Sequence, residues 1–195
     1  MISRKEQWRN FLISVLVISS AFTIQDINPG FFVLCFIIVF LSYFVHEVAH
    51  EKLSEVEGIE NKSELSGIGI VLTLATGILS QGLAVLAIPL ITKMRATETG
   101  RWLRKTEGIN DQELGLVSTS GPILNLIIGT TFLGLYYFSG IWTFWLVSLI
   151  NFWISVSNLI PIHPFDGGNT VLWGGWLWLT STLAGIIGII GAFLI

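Results

Sequence analysis

A short stretch near position 50 places two histidines and a glutamate at a spacing suited to metal chemistry. It has the sequence His46-Glu47-Val48-Ala49-His50. In an α-helix, residues four apart lie on one face, so both imidazoles can bind one metal ion while Glu47 reaches a water molecule beside it. This H-E-x-x-H pattern is typical of zinc-dependent peptide hydrolysis with glutamate as the general base. We predict that His46 and His50 bind the metal and that Glu47 is catalytic.

The two histidines alone also fit a structural interpretation, in which they extend from a helix end toward the membrane surface. A third ligand would distinguish the two, because catalytic zinc sites usually have three protein ligands and a water. Asp166 is the best candidate, since it is a rare carboxylate beside an apolar helix end. A carboxylate in such a place needs a cation. The alternative for Asp166 is that it caps the last helix or forms a turn with Gly167.

The composition is that of an integral membrane protein. Of 195 residues, 52% are hydrophobic and 12% charged, and the mean hydropathy is +0.75; charged residues are about a quarter of a soluble domain. A net charge of -3 does not indicate nucleic-acid binding. Cys35 is the single cysteine, which excludes an internal disulfide and cysteine-based zinc sites. We expect one transmembrane domain over 1–195, without a separate soluble regulatory domain.

The first apolar segments should carry the histidine motif to the cytoplasmic side of a membrane. We predict a first membrane helix over 8–27 whose basic flank keeps the N-terminus in the cytoplasm; a cleaved signal peptide is the alternative. A second helix, from 31 to about 53, then runs from outside to inside and brings His46 and His50 near its cytoplasmic end. The acidic segment that follows, 51–64, is expected to be a solvated linker.

The next apolar segment, 66–91, is interrupted by glycines and Pro89 and precedes the basic segment 93–113. If 66–91 were a plain membrane helix, this basic segment would lie outside, against the positive-inside rule. A re-entrant segment that returns to the cytoplasmic side removes the conflict, because irregular backbone is tolerated where it lines a cavity. A full membrane helix here is the competing interpretation.

The second half of the chain predicts three more helices, over 114–138, 142 to about 160, and 170–195. The loop after 160 contains Pro161, Pro164, Gly167 and Gly168, which prevent regular helix. The predicted fold class is therefore an all-α polytopic membrane protein of five or six transmembrane helices. The re-entrant segment would lie between the second helix and the helix that contains Gly-Pro-x-x-Asn.

Three motifs together resemble the site-2 protease family of intramembrane zinc metalloproteases. The first is the H-E-x-x-H stretch, and the second is Gly121-Pro122-Ile123-Leu124-Asn125. The third matches the family pattern Asn-x-x-Pro-x-x-Pro-x-Asp-Gly at every fixed position and reads Asn158-Leu159-Ile160-Pro161-Ile162-His163-Pro164-Phe165-Asp166-Gly167.

The resemblance implies that His46, His50 and Asp166 bind one zinc ion and that Glu47 is the general base and acid. It also implies a catalytic role for Asn158, which would stabilise the oxyanion or position the substrate. The role of Asn125 stays open. His163 departs from the apolar residue usual at its position and is a rival ligand.

The predicted function is hydrolysis of peptide bonds in membrane-spanning or membrane-associated proteins, within or near the bilayer. The expected partners are a transmembrane protein substrate and the lipids of the cell membrane. A serine protease of the rhomboid type fits less well, because Ser118-Thr119-Ser120-Gly121 lacks the first glycine of Gly-x-Ser-Gly, and an aspartyl protease would need a second membrane aspartate. The remaining alternative is a non-proteolytic metal transporter or sensor, although repeated halves are not evident.

Overall fold

The computed structural model describes residues 3–26, 28–96 and 109–195. Within these ranges the chain forms helices and one two-stranded sheet. The helices are α1 (Arg4–Phe22), α2 (Pro29–Glu57), α3 (Gly67–Ser80), α4 (Asp111–Ser139), α5 (Trp142–Asn158), α6 (Asp166–Trp173) and α7 (Gly175–Leu194), and the strands are β1 (Ile59–Leu65) and β2 (Leu90–Ala96).

Helix α1 begins at a capping box in which the Ser3 hydroxyl accepts from the Glu6 amide and the Glu6 carboxylate accepts from the Ser3 amide. It ends at Phe22, earlier than predicted, while residue 27 lies outside the described ranges. Helix α1 packs against α2 and α3. The shared apolar core consists mainly of Phe11, Val15, Ile18, Cys35, Val39, Tyr43, Ile150 and Ile154.

Helix α2 carries the histidine motif and is longer than predicted at both ends. Asn28 caps it, Pro29 occupies its first turn, and it ends at Gly58, whose φ of 67° lies in the left-handed region that glycine tolerates. Its 29 residues rise about 43 Å, more than the roughly 30 Å of a bilayer's hydrocarbon core. The polar last turns of α2 can therefore extend beyond the hydrocarbon region.

Strands β1 and β2 pair antiparallel, from Ile59 opposite Ala96 to Leu65 opposite Leu90. The expectation of a solvated linker over 51–64 is therefore wrong. Its first residues continue helix α2, and the rest form a strand. The acidic sequence of β1 does not indicate a strand by itself. Strand β1 is stabilised by its pairing with β2, which begins more than twenty residues later. Residues 97–108 of the predicted basic segment lie outside the described ranges.

The predicted re-entrant region contains a helix and an irregular return. Helix α3 has 14 residues, too few to span a bilayer, which needs about 20. The chain then returns to its starting point, where the Ser66 amide donates to the Pro89 carbonyl at 2.9 Å. Side-chain hydroxyls satisfy the returning backbone: Thr73 donates to the Leu86 carbonyl, and Thr76 accepts from the Leu86 amide. Re-entry into a membrane itself stays a prediction.

Helices α4 and α5 form an antiparallel hairpin that turns at Gly140, whose φ is 66°. The predicted last helix is divided at Gly174 into the short α6 and the longer α7. Helix α6 begins at Asp166, which is buried. The prediction that Gly167 and Gly168 prevent regular helix is therefore wrong, because both lie in the first turn of α6.

Three described helices are long and apolar enough to cross a membrane: Pro29–Glu57, Asp111–Ser139 and Gly175–Leu194. The chain is thus mostly helical and membrane-like, as predicted. The total of five or six membrane helices stays a prediction.

Candidate metal centre

Helix α2 presents His46 and His50 on one buried face, one turn apart, as the motif predicts. Their exposed fractions are 1% and 0%. Glu47, the next residue along, lies on an adjacent face and is half-buried. The two imidazoles therefore point into the protein, while the Glu47 carboxylate lies at the edge of a solvent-accessible cavity.

The structure brings Asp166 to the two histidines. The His46 and His50 Nε2 atoms are 3.1 Å apart, and Asp166 Oδ2 lies 3.1 Å from His50 Nε2 and 3.5 Å from His46 Nε2. Ligand atoms of all three residues lie within 4.8 Å of one another, and all three residues are buried. The three ligands predicted from motifs more than a hundred residues apart therefore form one cluster.

Two hydrogen bonds orient the imidazole rings. Asn125 Oδ1 lies 2.6 Å from His46 Nδ1, while Asn125 Nδ2 donates to Asn151 Oδ1 at 2.8 Å and to the Ser42 carbonyl at 3.2 Å. Because Asn125 uses its amide nitrogen elsewhere, its oxygen must accept from His46, and we assign the His46 proton to Nδ1. His50 Nδ1 likewise donates to the Val117 carbonyl at 2.8 Å. Both Nε2 lone pairs therefore point at the cluster.

The donor set fits zinc. With both Nδ1 atoms protonated, two Nε2 lone pairs and a carboxylate oxygen converge without a hydrogen between them. A single added proton can bridge only one pair of these atoms, whereas a dication satisfies all three at once. Two imidazoles and a carboxylate are also a ligand set of known catalytic zinc sites.

Helix α4 passes so close to the imidazoles that only glycine fits at position 121. A Cβ there would lie 2.6 Å from His50 Nε2 and 2.8 Å from His46 Nε2. The same need for space explains the glycine after Asp166, because a Cβ on Gly167 would lie 2.3 Å from the Leu159 carbonyl. The glycines of the second and third motifs thus permit the close approach that assembles the site.

Glu47 is held beside a cavity of about 10 Å³, close to the size of one water molecule. The Ser63 hydroxyl of β1 donates to Glu47 Oε2 at 2.6 Å. Ligand residues and strand β2 line this cavity, which adjoins His46, Glu47, Asp166, Leu90 and Thr92. The sheet therefore covers the site and also orients its acidic residue. Sequence reasoning missed this contribution of Ser63, because it depends on a strand that the local pattern does not indicate.

The remaining predicted site residues have different surroundings. Asn158 is 5% exposed, lines the same small cavity, and donates from Nδ2 to the Ile154 carbonyl at 2.8 Å and the Ala87 carbonyl at 3.4 Å. Its catalytic role stays a prediction. His163 is exposed in the loop before α6 and is not part of the described ligand cluster. Asn125, whose role the sequence left open, is the hydrogen-bond partner of His46.

Comparison with known proteins supports a zinc metalloprotease. A protein of Methanocaldococcus jannaschii named "Putative zinc metalloprotease" is 25% identical over 179 residues, which cover 85% of this chain and 83% of that protein. No protein-family profile matches the chain. No solved structure matches it either. The likeness supports a zinc metalloprotease, and the buried His-His-Asp cluster is a group of residues that could hold a metal ion.

Proposed function

We propose that the protein is an intramembrane zinc metalloprotease of the site-2 type, which hydrolyses peptide bonds of membrane-spanning or membrane-associated proteins. The observation that carries this proposal is the convergence of Asp166 on His46 and His50, which lie with Glu47 on a helix apolar enough to cross a membrane. A transport site could use the same ligands, but it would not need a further carboxylate held beside a water-sized cavity next to them.

His46, His50 and Asp166 would hold the zinc ion. When bound, zinc lowers the pKa of a coordinated water and polarises the scissile carbonyl. The Ser63 hydroxyl donates a hydrogen bond to Glu47 Oε2. Because that oxygen is already bonded, we assign proton transfer to Glu47 Oε1. Glu47 accepts the proton of the attacking water in the small cavity and delivers it to the leaving amine. Asn125 and the Val117 carbonyl keep both imidazoles in the required tautomer throughout.

We propose that Asn158 Nδ2 donates a hydrogen bond to the substrate carbonyl. Its Nδ2 already has a good partner in the Ile154 carbonyl at 2.8 Å, and its second contact, to the Ala87 carbonyl, is long at 3.4 Å. Exchange of the second contact for the oxyanion or carbonyl of a substrate would cost little. Such a donor stabilises the charge that develops on the oxygen in the transition state.

The bilayer setting that we propose has α1 and α5 as membrane helices together with α2, α4 and α7. Helix α3 and its return would then be a re-entrant segment, and the N-terminus and the active site would face the cytoplasm. A helical substrate must unwind to expose its carbonyls. Pairing with the 66–94 segment, which contains the start of β2 at the wall of the small cavity, could hold the unwound chain extended.

Glu47→Gln in the purified protein tests the proposal. The ligands are untouched, so the variant should bind as much zinc as the wild type while it no longer cleaves a reconstituted transmembrane substrate. Continued cleavage by the variant would refute proteolysis by this site. Loss of zinc flux across proteoliposomes, with cleavage absent from the wild type as well, would instead favour the transporter.

A further inference from the structure

A second, larger cavity begins at Glu47 and extends away from the metal ligands. It has a volume of about 900 Å³ and lies between α1, the last turns of α2 and strand β1. We refer to it as the acidic groove. Because Glu47 lines both this groove and the small cavity, the groove leads directly to the proposed catalytic carboxylate.

The lining of the acidic groove combines apolar side chains with an excess of negative charge. Trp8, Phe11 and Phe44 contribute its apolar surface, and Arg4 is its one described cation. Five carboxylates line it: Glu47, Glu51, Glu55, Glu57 and Glu60.

Two of these carboxylates are already paired with lysines, whereas Glu51 is available to a ligand. Glu55 pairs with Lys52 at 2.8 Å, and Glu60 pairs with Lys62 at 2.9 Å. Glu51 is exposed and has no ion pair among the described residues. The groove thus keeps a negative character, which attracts positively charged chains.

A buried hydroxyl in the same wall also indicates a ligand. Ser54 is 1% exposed and lines the groove, and its Oγ has no hydrogen-bond partner within the described residues. Buried polar groups are nearly always hydrogen-bonded, so an unpartnered hydroxyl beside a cavity is suited to a ligand's backbone.

The length of the groove matches that of a short extended peptide. Along α2, the distance from Glu47 to Glu57 is about 15 Å at 1.5 Å per residue. An extended chain covers that distance with about four or five residues. The groove can therefore hold the segment next to a cleavage site, rather than the whole membrane helix of a substrate.

We infer that the acidic groove binds a lysine- or arginine-rich segment that flanks the cleavage site of the substrate. This inference rests on the proposed function and narrows its substrate class. Membrane proteins carry an excess of lysine and arginine where their helices meet the cytoplasm. A groove lined by carboxylates at the proposed cytoplasmic edge of the active site complements that feature.

Peptide binding to the Glu47→Gln protein tests the inference without any cleavage. Three fluorescent peptides with one apolar helix are compared in nanodiscs of neutral lipid, with four lysines, four glutamines or four glutamates at the flank. The lysine peptide should bind about tenfold more tightly than the glutamine peptide at low salt and lose most of this advantage at 0.5 M salt, because screening weakens exposed charges. The glutamate peptide should bind most weakly.

Variants identify the surface responsible. When Glu51→Gln is added to the Glu47→Gln protein, the ratio of affinities for the lysine and glutamine peptides should fall about threefold. Adding Asp26→Asn, which removes an exposed carboxylate outside the groove, should leave that advantage unchanged. Equal affinity for the lysine and glutamine peptides, or an equal effect of the two variants, would overturn the inference.

The result is independent of the test of proteolysis. If wild-type protein cleaves the glutamine-flanked peptide while lysine gives no advantage in binding, the groove inference fails and the proposed function stands. If the lysine advantage is found but the wild type cleaves none of the peptides, the proposed function fails and the groove remains a binding site for basic chains.

Discussion

Gly121→Ala should remove zinc from a protein that still folds. The added Cβ would lie 2.6 Å from His50 Nε2 and 2.8 Å from both Cε1 and Nε2 of His46. Ordinary contacts begin at about 3.4 Å, so the methyl group overlaps both rings by roughly 0.6–0.8 Å. Zinc–nitrogen bonds are only about 2.0–2.1 Å long, so a carbon at this place occupies the space that the ion needs.

Overpacking of a buried site costs roughly 1–3 kcal/mol, whereas alanine is favoured over glycine in a helix by about 1 kcal/mol. That gain partly offsets the displacement of the imidazoles. We therefore expect at least a hundredfold loss of zinc affinity and loss of proteolysis, with the helical circular dichroism spectrum retained.

Gly134→Ala is the matched control. Gly134 lies in the same helix, and a Cβ there has no atom within 4 Å. This variant should bind zinc and cleave substrate like the wild type. Zinc content by mass spectrometry and cleavage of a reconstituted substrate are the assays. Wild-type zinc binding by Gly121→Ala would refute the placement of α4 against the imidazoles.

Three further predictions follow from the same geometry. Asn125→Ala removes the acceptor that fixes the His46 tautomer and should weaken zinc binding about 10–100-fold, as measured by competition with a chromophoric chelator; an unchanged affinity would contradict the assigned role. Ser63→Ala frees the Glu47 carboxylate and should lower kcat about tenfold with zinc content unchanged, since loss of a positioning hydrogen bond costs roughly 1–1.5 kcal/mol; zinc loss would instead indicate a role in the metal site. Chelation should abolish cleavage and lower the melting temperature, with both restored by added zinc, because a ligand that binds only the folded protein stabilises it; an unaffected melting temperature would exclude a zinc ion buried among His46, His50 and Asp166.

The cluster of candidate metal ligands could be predicted from sequence because the chemistry of its residues conflicts with their surroundings. His46, His50 and Asp166 are polar groups in or beside apolar segments, and the i, i+4 spacing fixes the geometry of two of them. The structure places all three in one cluster. The long apolar helices could also be predicted, because hydropathy alone separates them from the polar segments.

The supporting contacts could not be predicted in this way. Asn125 has a polar side chain in an apolar helix, but its partner depends on how α4 rotates against α2. Ser63 acts from a strand that forms only because β2 returns to pair with β1. Helix α6, which begins at Asp166, has only eight residues, too few to show a helical hydropathy period in the sequence.

The most direct test of the central claim is the identity of the atoms bound to zinc. X-ray absorption and anomalous diffraction at the zinc edge of the purified protein should show one ion bound by two imidazole nitrogens and one carboxylate oxygen, from His46, His50 and Asp166, at about 2 Å. The carboxylate oxygen should disappear from the ligand set in Asp166→Ala, which leaves two imidazole nitrogens and water. A zinc ion bound elsewhere, or one whose ligands are unchanged in that variant, would contradict the account.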